Sequence, residues 1–435
     1  MRASKVGLRW SLSLLLLLVS CAQPQPVRTA LQGNLADLKR DILSAQRAGK
    51  LDDRAVVKLA QAVGERELTS AEGKNGALRV RGLLRCEQPL RAAIGHRSES
   101  EDDVAAELTL ILLEAHATDR VRLLNRHAQS PNGAWRAVAA RAAVRPIDTD
   151  LRKAYYVDPD ERVRHAALLT AREVHDASEL EALLEAARVD PNPDNQSLAA
   201  RAAGAIGGER AVLALSDLWA RADDTLRISI VDAWSEPMSF SAGGERELAR
   251  AAATGGALAA VSASYALSRS GGAEAATADA RLRQNISGGS DDEKRLALSV
   301  APLNPETEAA IVKATHDANP ELRVVALARL STIAARRADS LRALRDLATA
   351  KPSSDTERHA RDAALSVLAN AGDPSVAPSL IQELKSAQLE ARWRAAHALA
   401  SLGDYSHAAS ALADDDANLR TDLACSILAR ELAQR

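Results

Sequence analysis

The chain has 435 residues and a formal net charge of −2 at pH 7. This balance gives no electrostatic footprint for nucleic acid, which normally needs a strongly basic face, so we expect no nucleic-acid partner. Aromatic residues are only 2% of the chain. A core must therefore be built from Ala, Leu, Val and Ile, and such small side chains suit closely stacked helices.

The N-terminus has the pattern of an export signal. Three basic residues precede an apolar run over residues 12–19, which is shorter than the ~20 residues that span a bilayer as a helix. The run ends in Leu18-Val19-Ser20-Cys21, which resembles the bacterial lipobox. That resemblance implies cleavage before Cys21, lipidation of its thiol and a membrane anchor; an ordinary secretory peptide is the alternative. Cleavage would change the net charge to −5.

These signals divide the chain into four parts. Residues 1–20 are the predicted signal peptide, and residues 21–30 are the lipidated cysteine with a short polar tether. Residues 31–70 are predicted to form an N-terminal helical cap, and residues 71–435 a repeat array. In the cap, apolar residues keep helical spacing until a glycine at position 49, and a second helix begins at Asp52 or Asp53.

A helix–turn–helix unit recurs along the array. The segment 180–207 shows it as an apolar stripe, a turn with two prolines, a second apolar stripe and a closing glycine. Four times, an aspartate lies six residues ahead of an arginine near the start of a second helix: Asp158/Arg164, Asp317/Arg323, Asp355/Arg361 and Asp414/Arg420. Such recurrence indicates stacked units.

The recurring unit resembles the HEAT-repeat family, including its short bacterial form. That family has an aspartate in the turn inside the repeat and an arginine early in the second helix, and the match is fullest at 158–168 and 317–327. The resemblance implies an all-α fold, an α-solenoid of about twelve helical-hairpin repeats. Arrays of this kind work as extended binding surfaces.

We interpret the Asp/Arg pairs as a structural ladder. A turn aspartate can accept hydrogen bonds from a helix N-terminus, and the arginine fork can bridge its own turn and the neighbouring one. Between residues 235 and 290 the pairs are missing and Gly and Ser are frequent. Irregular turns or a flexible joint are expected there.

Two cysteines remain besides Cys21. Cys86 and Cys425 lie near opposite ends of the array, and each repeat should advance it by about 10 Å. On that reasoning the thiols are much farther apart than the ~7 Å between Cα atoms that a disulfide allows. The sequence therefore predicts two buried, unpaired cysteines.

The sequence offers no catalytic motif. A zinc-protease helix, a CxxC pair, a phosphate loop and a dinucleotide fingerprint are all missing, and no two histidines are three or four residues apart. We predict no catalytic residue, no metal and no cofactor. Two roles are open for four large aromatic side chains, core filling, which we favour, and anchoring of a partner: Trp135, Tyr155, Tyr156 and Trp393.

The leading functional hypothesis is a non-enzymatic scaffold that binds a protein or peptide. The lipobox resemblance places it in the cell envelope, at the outer membrane or the periplasmic face. A structural or assembly factor of the envelope is one alternative, and an enzyme built on HEAT-like repeats is another.

Overall fold

The computed structural model describes residues 24–32, 34–69, 86, 91, 103–114 and 119–434. The predicted signal peptide and Cys21 lie outside these residues. The described residues form helices and turns without any strand, and none of their helices is long and apolar enough to span a membrane. The chain divides into two compact units, of which unit 1 comprises 1–112 and 369–435, and unit 2 comprises 113–368.

The described residues in the N-terminal part of unit 1 form four helices. They are α1 (Gln25–Gln32), α2 (Leu35–Arg47), α3 (Asp53–Thr69) and α4 (Asp103–Glu114), the last of which reaches the unit boundary. Asp52 caps α3, because its carboxylate accepts a hydrogen bond from the Ala55 amide at 2.8 Å. The prediction of a tether over 21–30 is wrong for residues 25–30, because they form α1, which buries Val27 and Ala30 against α2 and α3.

Unit 2 is a succession of helical hairpins. Its helices are α5 (Arg120–His127), α6 (Gly133–Ala142), α7 (Thr149–Tyr155), α8 (Glu161–Val174), α9 (Leu180–Val189), α10 (Pro193–Ile206), α11 (Glu209–Trp219), α12 (Asp224–Ser235), α13 (Glu245–Thr254), α14 (Ala257–Ser270), α15 (Ala275–Gly288), α16 (Asp291–Val300), α17 (Pro305–Ala314), α18 (Pro320–Leu330), α19 (Ala334–Thr349) and α20 (Asp355–Asn370). Short 3-10 turns at Pro146–Asp148 and Ala177–Glu179 precede α7 and α9. The even-numbered helices from α6 onward are the second helices of their hairpins.

The second helices form the more closely spaced layer of unit 2. From α6 to α16, each of them contacts the next second helix, whereas contacts between successive first helices are mostly sparser. Helices α10 and α12 approach each other closely. A Cβ added to Gly204 would lie 2.4 Å from the Cα of Ala233, so only glycine fits there. In a curved stack of hairpins the closely spaced layer is the concave one, which repeat proteins use for binding.

The stretch from 235 to 290 is less irregular than its composition suggests. The irregularity is confined to a short helical turn (Pro237–Ser239) and a π-helical turn (Phe240–Gly244), where Gly243 has a φ of 112°. The helices α13, α14 and α15 then follow with ordinary lengths.

The C-terminal part of unit 1 packs on its N-terminal part. Its helices are α21 (Ala377–Glu383), α22 (Leu389–Leu402), α23 (Tyr405–Ala408) and α24 (Ala417–Gln434), with 3-10 turns at Pro374–Val376 and Ala409–Ala413. Helix α24 lies along α3, and the Arg420 guanidinium meets the Glu67 carboxylate at 2.7 Å in a buried ion pair. The side chain of Gln46 donates to the Ser406 carbonyl.

The prediction that Cys86 and Cys425 are unpaired is wrong, whereas both are buried as predicted. Cys86 and Cys425 form a disulfide with their Cα atoms 5.1 Å apart, in a cluster with Leu68, Leu108 and Leu112. The two thiols would be far apart only if the two ends of the array were far apart. Because the N-terminal helices pack on the C-terminal ones within unit 1, a sequence separation of 339 residues says nothing about the distance.

Candidate functional site

The turns between the two helices of a repeat share one hydrogen-bond plan. The Asp158 carboxylate accepts from the Asp160 amide at 2.9 Å, and Asp160 caps α8 by accepting from the Arg162 amide at 3.0 Å. Asp317 and Asp414 accept in the same way from the amide two residues later. Each turn is thereby held in the geometry that starts the second helix.

The ladder arginines connect consecutive turns. Arg164 donates to the carbonyl of Asp158 in its own turn at 2.9 Å, and to both carboxylate oxygens of Asp190 in the next turn at 2.8 and 3.2 Å. Thus the carboxylate of the later turn is held by a cation of the preceding repeat. The same arrangement joins Arg136 to Asp158, Lys294 to Asp317 and Arg392 to Asp414. Arg323 and Arg420 donate to the carbonyls of Asp317 and Asp414 in their own turns.

These contacts lower the pKa of two ladder carboxyls. For Asp317, the hydrogen bond from the Asn319 amide and the ion pair with Lys294 hold the pKa below its usual range. For Asp414, burial alone would raise the pKa, but hydrogen bonds from Arg392 and from a backbone amide lower it overall.

The pair Asp355/Arg361 has a different position relative to its helix cap from the other three pairs. In the repeats with a ladder arginine, that residue is the fourth after the N-cap, as Arg164 is after Asp160. Helix α20 starts after Ser354, whose hydroxyl accepts from the Glu357 amide. The fourth residue after this serine is Arg358, which pairs with Asp355 at 3.0 Å, while Arg361 contacts Asp362 at 2.9 Å.

Three of the four candidate anchors belong to the core. Trp135 is 2% exposed and stacks on His127 with ring centroids 4.2 Å apart. Tyr155 is buried and donates to the Ala128 carbonyl at 3.1 Å, and burial raises the pKa of its hydroxyl to about 12. The Tyr156 hydroxyl donates to the Glu179 carboxylate. Burial, together with this carboxylate, raises the pKa of the hydroxyl.

The fourth anchor, Trp393, keeps part of its surface exposed. It stacks on His397 with ring centroids 5.8 Å apart, and the Nε2 atom of His397 lies 2.8 Å from the Asp422 carboxylate. This set spans the second helices α22 and α24 of unit 1. An aromatic ring beside a polar pair is typical of a contact surface.

A buried ion-pair network was missed by the sequence analysis. The fully buried Arg152 donates from Nε to Glu179 at 2.8 Å, and from Nη1 to the carbonyls of Ala143 and Arg145 at 2.9 Å. Its signal in the sequence is weak: the two charged residues are 27 positions apart, about one repeat. The network joins the first helix α7 to the turn before α9 and has a structural role.

The second helices also carry an exposed stripe in the middle of unit 2. We define the second-helix stripe as the outward-facing residues of α8, α10 and α12: His165, Arg172, Arg201, Ile228 and Asp232. The Nε atom of Arg201 lies 3.2 Å from the Oδ2 atom of Asp232. Arg172 lies 3.7 Å from Glu236, just after α12.

The carboxylate of Asp232 is reached by water but is poorly hydrated. Half of its side chain is exposed, and yet the protein around it raises its pKa, with Arg201 and Arg172 acting in the opposite direction. The stripe therefore presents paired charges of both signs beside the apolar side chain of Ile228.

A comparison with protein families matches this part of the chain. Residues 149–234 match the family model of HEAT repeats. The match runs from α7 to α12 and contains the second-helix stripe. With the all-α arrangement of helical hairpins, it confirms the predicted fold class and supports a HEAT-repeat protein. No curated protein matches the chain.

Two further features of the described residues bear on function. They contain no group of three or more His, Cys, Asp or Glu side chains that could hold a metal ion. Unit 1 has a cleft of about 430 Å³ between α2 and the α21–α23 region, where Lys39 and Leu43 face Ile381 and Lys385.

Proposed function

We propose that the protein is a lipid-anchored, exported scaffold that binds a protein partner on the second-helix stripe. The observation that carries the proposal is that two parts of the second helices have different roles. The ladder at the start of the second helices fixes the stack, as with Arg164 and Asp190. The stripe lies on the closely spaced layer. Its charged side chains form ion pairs that a bound protein can replace with ion pairs of its own.

The chemistry of the stripe fits a folded protein surface. Exposed ion pairs such as Arg201–Asp232 contribute about 0–1 kcal/mol to stability, so a partner can replace them at little cost. Arginine is enriched at protein interfaces because its stem packs and its fork binds carboxylates in two contacts. We infer that the partner presents acidic and basic residues that complement Arg172, Arg201 and Asp232.

The disulfide supports the export part of the proposal. Disulfides persist in oxidising compartments and are rare in the cytosol. The Cys86–Cys425 bond joins buried residues of unit 1. The lipobox resemblance adds an anchor at Cys21, and removing that thiol removes the acceptor for the lipid.

Crosslinking in cells tests partner binding. The double variant Arg172→Glu/Arg201→Glu reverses two cations of the stripe. The matched control Arg188→Glu/Arg210→Glu reverses two exposed arginines on the first helices α9 and α11 of the same span, which also form surface ion pairs. We expect a protein that crosslinks to the wild type and the control, and not to the stripe variant. Equal crosslinking of both variants would place the partner elsewhere.

Membrane fractionation tests anchoring separately. Wild-type protein should sediment with membranes and carry a lipid on its N-terminal peptide by mass spectrometry, whereas Cys21→Ala should be soluble after export. A Cys21→Ala protein that stays with the membranes in the same amount contradicts the lipid anchor and leaves partner binding open.

A further inference from the structure

The first two helices carry a concentration of positive charge. Residues 25–50 contain five basic side chains, all exposed, and two acidic ones, although the whole chain is negative. Four of the cations lie along α2 and at its C-terminal end, where Lys39 also lines the cleft of unit 1, and we call them the α2 basic face: Lys39, Arg40, Arg47 and Lys50. The fifth is Arg28 on α1.

The two acidic residues do not neutralise this face. Asp37 forms an ion pair with Arg40 at 2.8 Å, and Asp41 accepts a hydrogen bond from the Thr29 hydroxyl at 2.6 Å. No ion pair engages Lys39, Arg47 or Lys50 in the described part of the chain. Across the neighbouring cleft, the Asp414 carboxylate is held by Arg392. Free cations of this kind are available to an anionic partner.

Apolar side chains lie among these cations. Leu43 is 39% exposed on the same helical face, between Lys39 and Arg47, and Leu31 at the end of α1 is 48% exposed. A helix that combines exposed Lys and Arg with leucine has the chemistry of surfaces that lie against lipid headgroups.

The position of the face in the chain indicates its partner. Gln25, the first residue of α1, reaches the Asp41 carboxylate on α2 at 3.4 Å, so the start of the fold lies beside α2. Gln25 follows Cys21 by four residues, and an extended chain spans at most ~3.5 Å per residue, or about 14 Å in all. With Cys21 lipidated, as the proposed function has it, the start of α1 is held next to the bilayer surface.

We propose that the α2 basic face binds anionic lipid headgroups of the membrane to which the chain is anchored. That this face lies next to a membrane rests on the proposed function, which places a lipid on Cys21. The charge and exposure of the face do not depend on it. A basic residue near an anionic bilayer increases partitioning about fivefold, and the effect is screened by salt. Together with the acyl chains, the face would fix the orientation of unit 1 on the membrane.

Vesicle flotation of a chain that lacks the lipid tests this inference. The protein used is residues 22–435, mixed with vesicles that contain phosphatidylglycerol or with vesicles of phosphatidylcholine alone. We expect binding to the phosphatidylglycerol vesicles that is lost at high salt. The triple variant Lys39→Gln/Arg47→Gln/Lys50→Gln should bind on the order of 100-fold more weakly.

A charge-matched control separates the face from net charge. The variant Arg221→Gln/Lys313→Gln/Lys351→Gln removes three exposed cations from unit 2 and should bind like the unaltered chain. Equal weakening by both triple variants, or no binding to phosphatidylglycerol, would overturn the inference. Because this protein carries no lipid, the result is independent of Cys21. Fractionation of Cys21→Ala after a high-salt wash, which removes binding through the α2 basic face, judges the anchor by itself.

Discussion

Removing the buried disulfide should weaken the folding of unit 1. The variant Cys425→Ala deletes the covalent link between the N-terminal and C-terminal parts of unit 1. The link closes a loop with a sequence separation of 339 residues. For a loop of that length the chain-entropy relation gives about 6 kcal/mol at 25 °C.

We expect a smaller effect than this relation gives. Unit 2 lies inside the loop, and while it remains folded it restricts the chain that the disulfide would otherwise restrict. Native disulfides typically contribute about 2–5 kcal/mol, which is the loss we expect in the free energy of unfolding of unit 1.

Two measurements on residues 22–435 check the prediction. Thiol titration of the denatured, unreduced wild type should find no free thiol, and reductant should release two. Thermal unfolding followed by circular dichroism should show a lower midpoint for Cys425→Ala, and reductant should lower the wild-type midpoint to the same value. Two free thiols in the unreduced protein, or a midpoint unaffected by reductant, would refute the reasoning.

Three further predictions concern the repeats and are checked by urea unfolding. Arg164→Met leaves a buried carboxylate unpaired and should cost about 3–5 kcal/mol, whereas Arg162→Met removes a partly exposed ion pair and should cost less than about 1 kcal/mol. Gly204→Ala forces two helices apart and should cost about 1–3 kcal/mol; Gly288→Ala, which has open space, should be neutral or stabilising. A threonine hydroxyl and a backbone amide lower the pKa of Asp176 to about 2, so its ionised form stabilises the fold above about pH 4. The deficit of Asp176→Asn relative to wild type should therefore shrink as the pH falls from 4 towards 2.

The local plan of the repeat could be predicted from sequence because it is set by short-range chemistry. Turn carboxylates, N-caps and apolar stripes all act within a few residues, and the fold class followed from their recurrence. The number of residues between an aspartate and an arginine was a less reliable guide to the ladder than the position of the arginine relative to the helix N-cap. Asp355 and Arg361 have the right separation, but the cap at Ser354 puts Arg358 in the ladder position.

The roles of the large aromatic side chains needed the packing of neighbouring helices. Trp135 and Trp393 both precede an arginine in a second helix, and their local sequences give no reason to separate them. Trp135 is covered by His127 from its own hairpin, whereas Trp393 stacks on His397 and stays partly exposed. Whether a ring is covered depends on the residues that other elements bring to it.

The ladder also explains one contact between the N-terminal and C-terminal parts of unit 1. In the interior of the array, a ladder arginine binds its own turn and the carboxylate of the next turn, as Arg164 does with Asp190. Arg420 is the ladder arginine of α24, and it makes its second contact differently. It keeps the bond to its own turn and binds Glu67 of α3 instead.

Glu67 thus supplies to the last repeat the carboxylate that a following repeat would supply. An unpaired Arg420 at this buried position would be costly, because a buried charge without a partner loses its hydration. The N-terminal helices of unit 1 therefore complete its C-terminal repeat. The Cys86–Cys425 bond joins the same two parts of unit 1 covalently.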